Sequence, residues 1–225
     1  MNKFFKRIFV VICAFIFLSI SSAFATDMNT LQKEGKILLV GDSYAGFFTK
    51  HYPDAFAFRA FPVSGIDKVD NEYILSEVAA NNSYEYYIFS TGVNDHYRQT
   101  DVNVFETILE NFAKEIALKN KYLFVHTYMS YPIEDEFTGF YKVSDYDAAV
   151  KRVADKYQNV IYIDMNEYND SRYCISDQLH YNKEFYDALY EKIKNGIEYI
   201  ELVNSLIVDN GPKPILIPGS VKSTD

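Results

Sequence analysis

Tryptophan is absent from the 225 residues, cysteine occurs twice, at Cys13 and Cys174, and histidine four times, at His51, His96, His126 and His180. Each scarcity narrows what the chain can be. Cys13 lies in an apolar run near the start, so Cys174 has no intramolecular partner once that run is removed, and the fold must rest on its core. Cys174 is expected to be a small buried residue. No grouping of His, Cys, Asp and Glu has metal-ligand spacing, so no metal and no cofactor is expected. No Gly-rich phosphate-cradling run follows a strand-like segment. Basic charge is also short. Lys and Arg number 22 against 31 Asp and Glu, for a net charge of −9. An acidic body repels a phosphate backbone, which argues against nucleic acid as a partner. The longest apolar run, residues 8–18, is shorter than the roughly 20 residues of a membrane span.

That run is part of a recognisable pattern. Lys3, Lys6 and Arg7 precede it, and Ser21-Ser22-Ala23-Phe24-Ala25 follows it with a small-x-small ending. Residues 1–25 therefore read as a secretory signal peptide cut after Ala25, which places the mature protein outside the cytoplasm. A retained anchor is the alternative. Residues 26–204 then form one domain, and residues 205–225, with three prolines and two glycines, read as a tail.

Within the domain, strand-like and helix-like segments alternate. Strands are expected at residues 37–40, 55–61, 84–90, 122–127 and 160–163. The run Ile37-Leu38-Leu39-Val40 is apolar throughout, as in a strand buried on both faces. Helices are expected at residues 44–50, after Asp70 or Asn71 (burying Ile74, Leu75 and Val78), and along Phe105, Ile108, Leu109, Phe112 and Ile116. Asn103 with Glu106 resembles a capping pair for the last of these. Two further helices are expected, one from Ser144 burying Tyr146, Ala149, Val150, Val153 and Tyr157, and one over residues 182–203 burying Phe185, Leu189, Ile193 and Ile197. Five strands alternating with helices predict an α/β fold, a three-layer α/β/α sandwich around a five-stranded parallel sheet.

The first strand stops at Gly41-Asp42-Ser43. In open α/β sheets ligands bind beyond the carboxyl ends of strands, so Ser43 is a candidate nucleophile; the plainer reading makes it a helix cap. A nucleophilic serine needs a base, an acid to orient that base, and donors for an oxyanion. His180 is the best base, because Asp177 precedes it by three residues, a spacing that lets a carboxylate reach Nδ1 in a turn. Asp164, at the end of the fifth strand, competes for the role of acid. His51 reads as exposed, His96 as a rim residue and His126 as a hydrogen-bonded core residue. Asp95 reads as a loop-holding residue.

Four short blocks occur in order: Gly41-Asp42-Ser43, Gly65 after the second strand, Gly92-Val93-Asn94-Asp95 after the third, and Asp177-Gln178-Leu179-His180 before the last helix. Together they resemble the SGNH hydrolases, also called the GDSL esterase/lipase family, over residues 37–203. The resemblance implies a flavodoxin-like sheet and a serine esterase that needs no metal. It implies Ser43 as nucleophile, His180 as base and Asp177 as orienting acid. Oxyanion donors would be the backbone N–H groups of Ser43 and Gly65 and the side-chain amide of Asn94. Tyr44 stands at the family's leucine, and Gln178 and Tyr181 replace the glycine and proline common in the last block, which puts that loop's shape in question. The Gly-x-Ser-x-Gly elbow of α/β-hydrolases does not fit, since Ala45 stands where its second glycine belongs.

The expected partner is a small-molecule or polysaccharide ester, possible substrates being a sugar O-acetyl ester, a short-chain lipid or a lysophospholipid. Tyr97, Tyr128, Tyr131, Phe137, Phe140 and Tyr141 are expected to wall the site. A monomer without stable membrane insertion is expected. Acyl transfer to a sugar hydroxyl, or a carbohydrate-binding module without turnover, are the alternatives.

Overall fold

The computed structural model describes residues 34–60, 64–69, 82–129 and 139–207. The expected helix after residue 70, Tyr131, Phe137 and the segments 1–25 and 208–225 lie outside the described residues. The elements run β1 (Ile37–Gly41), α1 (Ser43–His51), β2 (Ala57–Ala60), α2 (Ile66–Val69), β3 (Tyr86–Ser90), α3 (Asn94–Arg98), α4 (Val102–Leu118), β4 (Tyr122–His126), α5 (Val143–Lys156), β5 (Val160–Ile163) and α6 (Lys183–Ile207). All strand pairs are parallel, in the order β2-β1-β3-β4-β5, with Gly41 opposite Ser90 and Phe89 opposite Val125. This is the expected α/β sandwich with the flavodoxin-like strand order.

Strand alternation explains the layers. Leu38 and Val40 face one side with Tyr87, Phe89, Leu123 and Val125, beneath the apolar stripes of α4 and α5. Ile37 and Leu39 face the other with Tyr86, Ile88 and Phe124, beneath α1 and α6. Both faces of β1 are thus dry, as its unbroken apolar sequence requires. On α6, Phe185, Leu189, Ile193 and Ile197 are fully buried, each contributing about 1.5–3 kcal/mol of transfer free energy. In a chain without tryptophan, tyrosines and phenylalanines fill the large core positions. Tyr128 stacks on Tyr146, and Phe105 stands edge-on to both.

Several boundaries differ from expectation. Helix α4 starts at Val102, and its cap is Asp101, whose carboxylate accepts the Asn103 N–H at 2.8 Å. Asn103 is therefore inside the helix, because burial of Val102 draws the first turn inward and leaves Asp101 at the cap position. Helix α6 continues to Ile207, four residues past its expected end and three residues into the expected tail. Asn182 precedes it, with Oδ1 accepting the Phe185 N–H at 3.3 Å. Among the described residues no helix is long and apolar enough to cross a membrane.

Candidate active site

The chain leaves β1 for β2 on one side and then crosses to β3 on the other, so a crevice opens beyond the carboxyl ends of β1 and β3. The sequence blocks collect there. Ser43 is the first residue of α1, and the residue that caps the helix is Asp42: its Oδ1 accepts the Tyr44 N–H at 2.8 Å. Ser43 is thus excused from capping. Asp42 Oδ2 accepts from Gly92 N–H at 3.0 Å and from the Asn94 side-chain amide at 2.9 Å, which ties the end of β1 to the turn after β3. Asp42 is fully buried, and burial pushes its carboxyl up to about 6 against the hydrogen bonds that pull it down. Gly92 is required by close approach: a Cβ there would lie 1.3 Å from the Tyr44 ring.

Asn94 opens α3, and its neighbour Asp95 reaches back to the turn before α2. The two Asp95 oxygens lie 3.0 and 3.1 Å from the Ile66 N–H they accept, next to Gly65. A Cβ on Gly65 would meet Asp95 Oδ1 at 2.6 Å, so a glycine lets this carboxylate sit against the turn. Burial raises the Asp95 carboxyl to about 7. Asp95 thus holds a loop, the bland role expected of it.

The loop before α6 delivers the other partners. His180 Nε2 is 2.9 Å from Ser43 Oγ, and His180 Nδ1 is 2.7 Å from Asp177 Oδ2. Asp177 Oδ1 accepts the backbone N–H groups of Leu179 and His180, both at 2.9 Å. Partial burial pushes the Asp177 carboxyl up, but these N–H groups and the imidazole outweigh it and hold the group below the ordinary carboxylate value. The Asp177 hydrogen bond to Nδ1 requires the proton on that nitrogen, which leaves Nε2 to accept from Ser43. Gln178 adopts φ 56, the left-handed conformation that glycine would take more easily. The Tyr181 backbone forms an antiparallel bridge with Cys174, and the Tyr44 hydroxyl donates to the Leu179 carbonyl at 2.9 Å. The substituted loop therefore keeps a tight, braced turn.

The other candidates lie elsewhere. Asp164 is exposed and accepts the Asn166 N–H at 2.9 Å, so the structure gives it a local turn role. His126 is buried. Its Nδ1 donates to the Thr127 carbonyl, so Nε2 accepts from Ser90 Oγ at 2.9 Å, a second serine–histidine pair with no access to solvent. His96 is buried rather than at the rim, because its N–H donates to the Tyr128 hydroxyl. Tyr128 is correspondingly a core residue and no wall of the site. His51 is half-buried against Tyr186. Cys174 is only half-buried, and desolvation raises its thiol to about 11. Of the expected wall residues, Tyr97 is 62% and Phe140 87% exposed. The signals missed in the sequence were Asp42 as cap and clamp, and Phe47, whose ring stacks on His180 at 4.1 Å between centroids. Ser43 and Phe47 stand at i and i+4 on α1, which places them on one face.

No protein-family model matches the sequence, and no curated protein does. The backbone is nevertheless similar to solved structures. A GDSL-like lipase of Bacteroides thetaiotaomicron superposes with a TM-score of 0.60 at 14% identity, over 82% of this chain and 96% of that one. A lipase/acylhydrolase of Enterococcus faecalis gives 0.56 at 16%, over 73% and 95%. A carbohydrate esterase family 3 protein of Talaromyces cellulolyticus gives 0.57 at 11%, over 78% and 99%. The chain has the SGNH/GDSL hydrolase fold that such lipases, acylhydrolases and esterases share.

Proposed function

We propose that the protein is an exported serine esterase that hydrolyses a carboxylic ester through an acyl-serine intermediate. The observation that carries this reading is the continuous line from Asp177 through His180 to Ser43, with both hydrogen bonds under 3 Å. In the first step Ser43 Oγ attacks the ester carbonyl while His180 Nε2 takes its proton. The tetrahedral oxyanion then collapses, the C–O bond to the alcohol breaks, and His180 returns the proton to the leaving oxygen. In the second step water gives a proton to His180 and its oxygen to the acyl carbon, the acyl–Oγ bond breaks, and His180 returns the proton to Ser43 Oγ as the acid leaves. Asp177 keeps Nδ1 protonated and balances the imidazolium.

The proposed oxyanion donors are the Ser43 N–H at the start of α1, the Gly65 N–H and the Asn94 amide. The start of α1 adds the favourable end of a helix dipole. Asp42 accepts from the Asn94 amide and so supports its orientation. An uncharged amide suits this position, since a carboxylate has no proton to donate when ionised.

We further propose a sugar O-acetyl ester of an extracellular or cell-wall polysaccharide as substrate. Export is supported by residues 1–25 of the sequence. Exposed Tyr97 and Phe140 offer flat apolar faces of the kind that pack on sugar rings. The carbohydrate esterase named above shows that this fold occurs among proteins so described. The test is turnover of p-nitrophenyl acetate, butyrate and longer esters by the wild type and Ser43→Ala, followed by acetate release from acetylated polysaccharides. Short esters are expected to be cleaved and the variant to lose nearly all activity. Equal rates would reject the nucleophile, and absence of acetate release would reject the substrate class alone.

A further inference from the structure

The line from Asp177 to Ser43 fixes two points of the His180 ring but not its tilt. With Cβ tethering it as well, the ring held at Nδ1 and Nε2 keeps only a small residual tilt, which a contact on its face can oppose. The Asp177 side chain is 41% exposed, so solvent screens its charge against the ring. The ring nevertheless has a neighbour on its face. Phe47 lies 4.1 Å away between centroids with the planes only 16° apart, while Tyr44 meets it edge-on at 5.8 Å. Phe47 comes from the same helix as Ser43, one turn on, so the nucleophile and the stacking face arrive on one rigid element. Lys50 Nζ lies 3.8 Å from the Phe47 centroid.

We propose that Phe47 is a positioning residue for His180: its ring face opposes the residual tilt and stabilises the imidazolium that forms as Ser43 is deprotonated. This rests on the reading of Ser43 and His180 as nucleophile and base. Two properties of an aromatic ring are required together. A flat face opposes tilt, and its π cloud attracts a cation, an effect an aliphatic side chain of similar size lacks. Phe47 is argued to act through the His180 ring it stacks on, so its removal should act on the rate of the chemical step more than on binding.

The experiment compares Phe47→Leu, Phe47→Tyr and Ser43→Ala with the wild type on a short p-nitrophenyl ester. Phe47 is half-buried, so the leucine variant is expected to fold. Phe47→Leu should lower kcat about tenfold with KM changed less than about twofold, and Phe47→Tyr should stay within about twofold of wild type in both. A purely packing role predicts that leucine keeps kcat. Wild-type kcat in Phe47→Leu, or equal losses in the leucine and tyrosine variants, overturns the proposal while leaving the esterase reading intact. Proton NMR separates the two further, because it needs no turnover. In the wild type the His180 ring protons should resonate upfield through the Phe47 ring current and move downfield in Phe47→Leu. Unchanged His180 signals overturn the stacking whatever the activity, whereas full activity in Ser43→Ala overturns the nucleophile assignment and with it the catalytic role given to Phe47, leaving the stacking to be read from the NMR.

Discussion

Asp95 is the sharpest place to test the electrostatics of the site. Its carboxylate is fully buried, accepts the Ile66 N–H and a hydrogen bond from the Thr100 side chain, and has its proton affinity raised by burial from 3.8 to about 7. In the unfolded chain the group titrates near its ordinary value, so between about pH 4 and pH 7 the folded protein holds this proton more tightly. Stability from this group therefore falls as pH rises through that window and levels off above about 7. A shift of about three units corresponds to an upper bound of about 4 kcal/mol. Asp95→Asn removes the titration but keeps an oxygen that can accept from Ile66. Its new amide must re-pair with the Thr100 hydroxyl now donating to the carboxylate, and any N–H left unpaired adds a cost of about 1–3 kcal/mol that does not vary with pH. The diagnostic quantity is therefore the slope. Urea melts of wild type and Asp95→Asn between pH 4.5 and 8.5 should show the variant's stability declining less with rising pH, by a difference of up to about 4 kcal/mol across the range. Parallel curves would refute the reasoning and mean that Asp95 is solvated or paired in solution.

Other consequences concern neighbouring residues. Asn94→Ala should lower kcat by about 10² to 10³ with little change in KM, as expected for a lost oxyanion donor, and steady-state kinetics would check it. Gly92→Ala forces a Cβ into the Tyr44 ring and should destabilise the fold by about 1–3 kcal/mol while loosening the Tyr44 contact with Leu179, measurable by thermal melting and activity together. Ser90→Ala leaves His126 Nε2 without its donor in a buried site; chemical denaturation should show a loss of about 1–3 kcal/mol, with ester turnover little changed.

The layers of the fold were legible because both faces of the sheet and one face of each long helix are dry, and that leaves a direct periodic signature. Residues 37–40 carry it without a polar interruption, and Phe105 to Ile116 and Phe185 to Ile197 carry it at helical spacing. The strand-end positions of Ser43 and Asn94 followed from the same alternation, and His180 from its spacing to Asp177 in the loop before the last helix. What was not legible depended on partners distant in sequence. Asn103 looks like a cap until the burial of Val102 moves the cap back to Asp101. Tyr128 and His96 look like rim residues, yet each satisfies the other through a hydroxyl and a backbone N–H. The clamp that Asp42 makes on Gly92 and Asn94 spans fifty residues, and no local pattern announces it. Phe47 is different: its spacing from Ser43 was visible, but the ring it would meet was not.

The central claim is that Ser43 is a nucleophile activated by His180. The most direct measurement is covalent labelling with a fluorophosphonate, read by intact mass and peptide mapping. The account predicts a single adduct on Ser43, absent in Ser43→Ala and formed far more slowly in His180→Ala. Labelling at another residue, or equal labelling of wild type and Ser43→Ala, would contradict it.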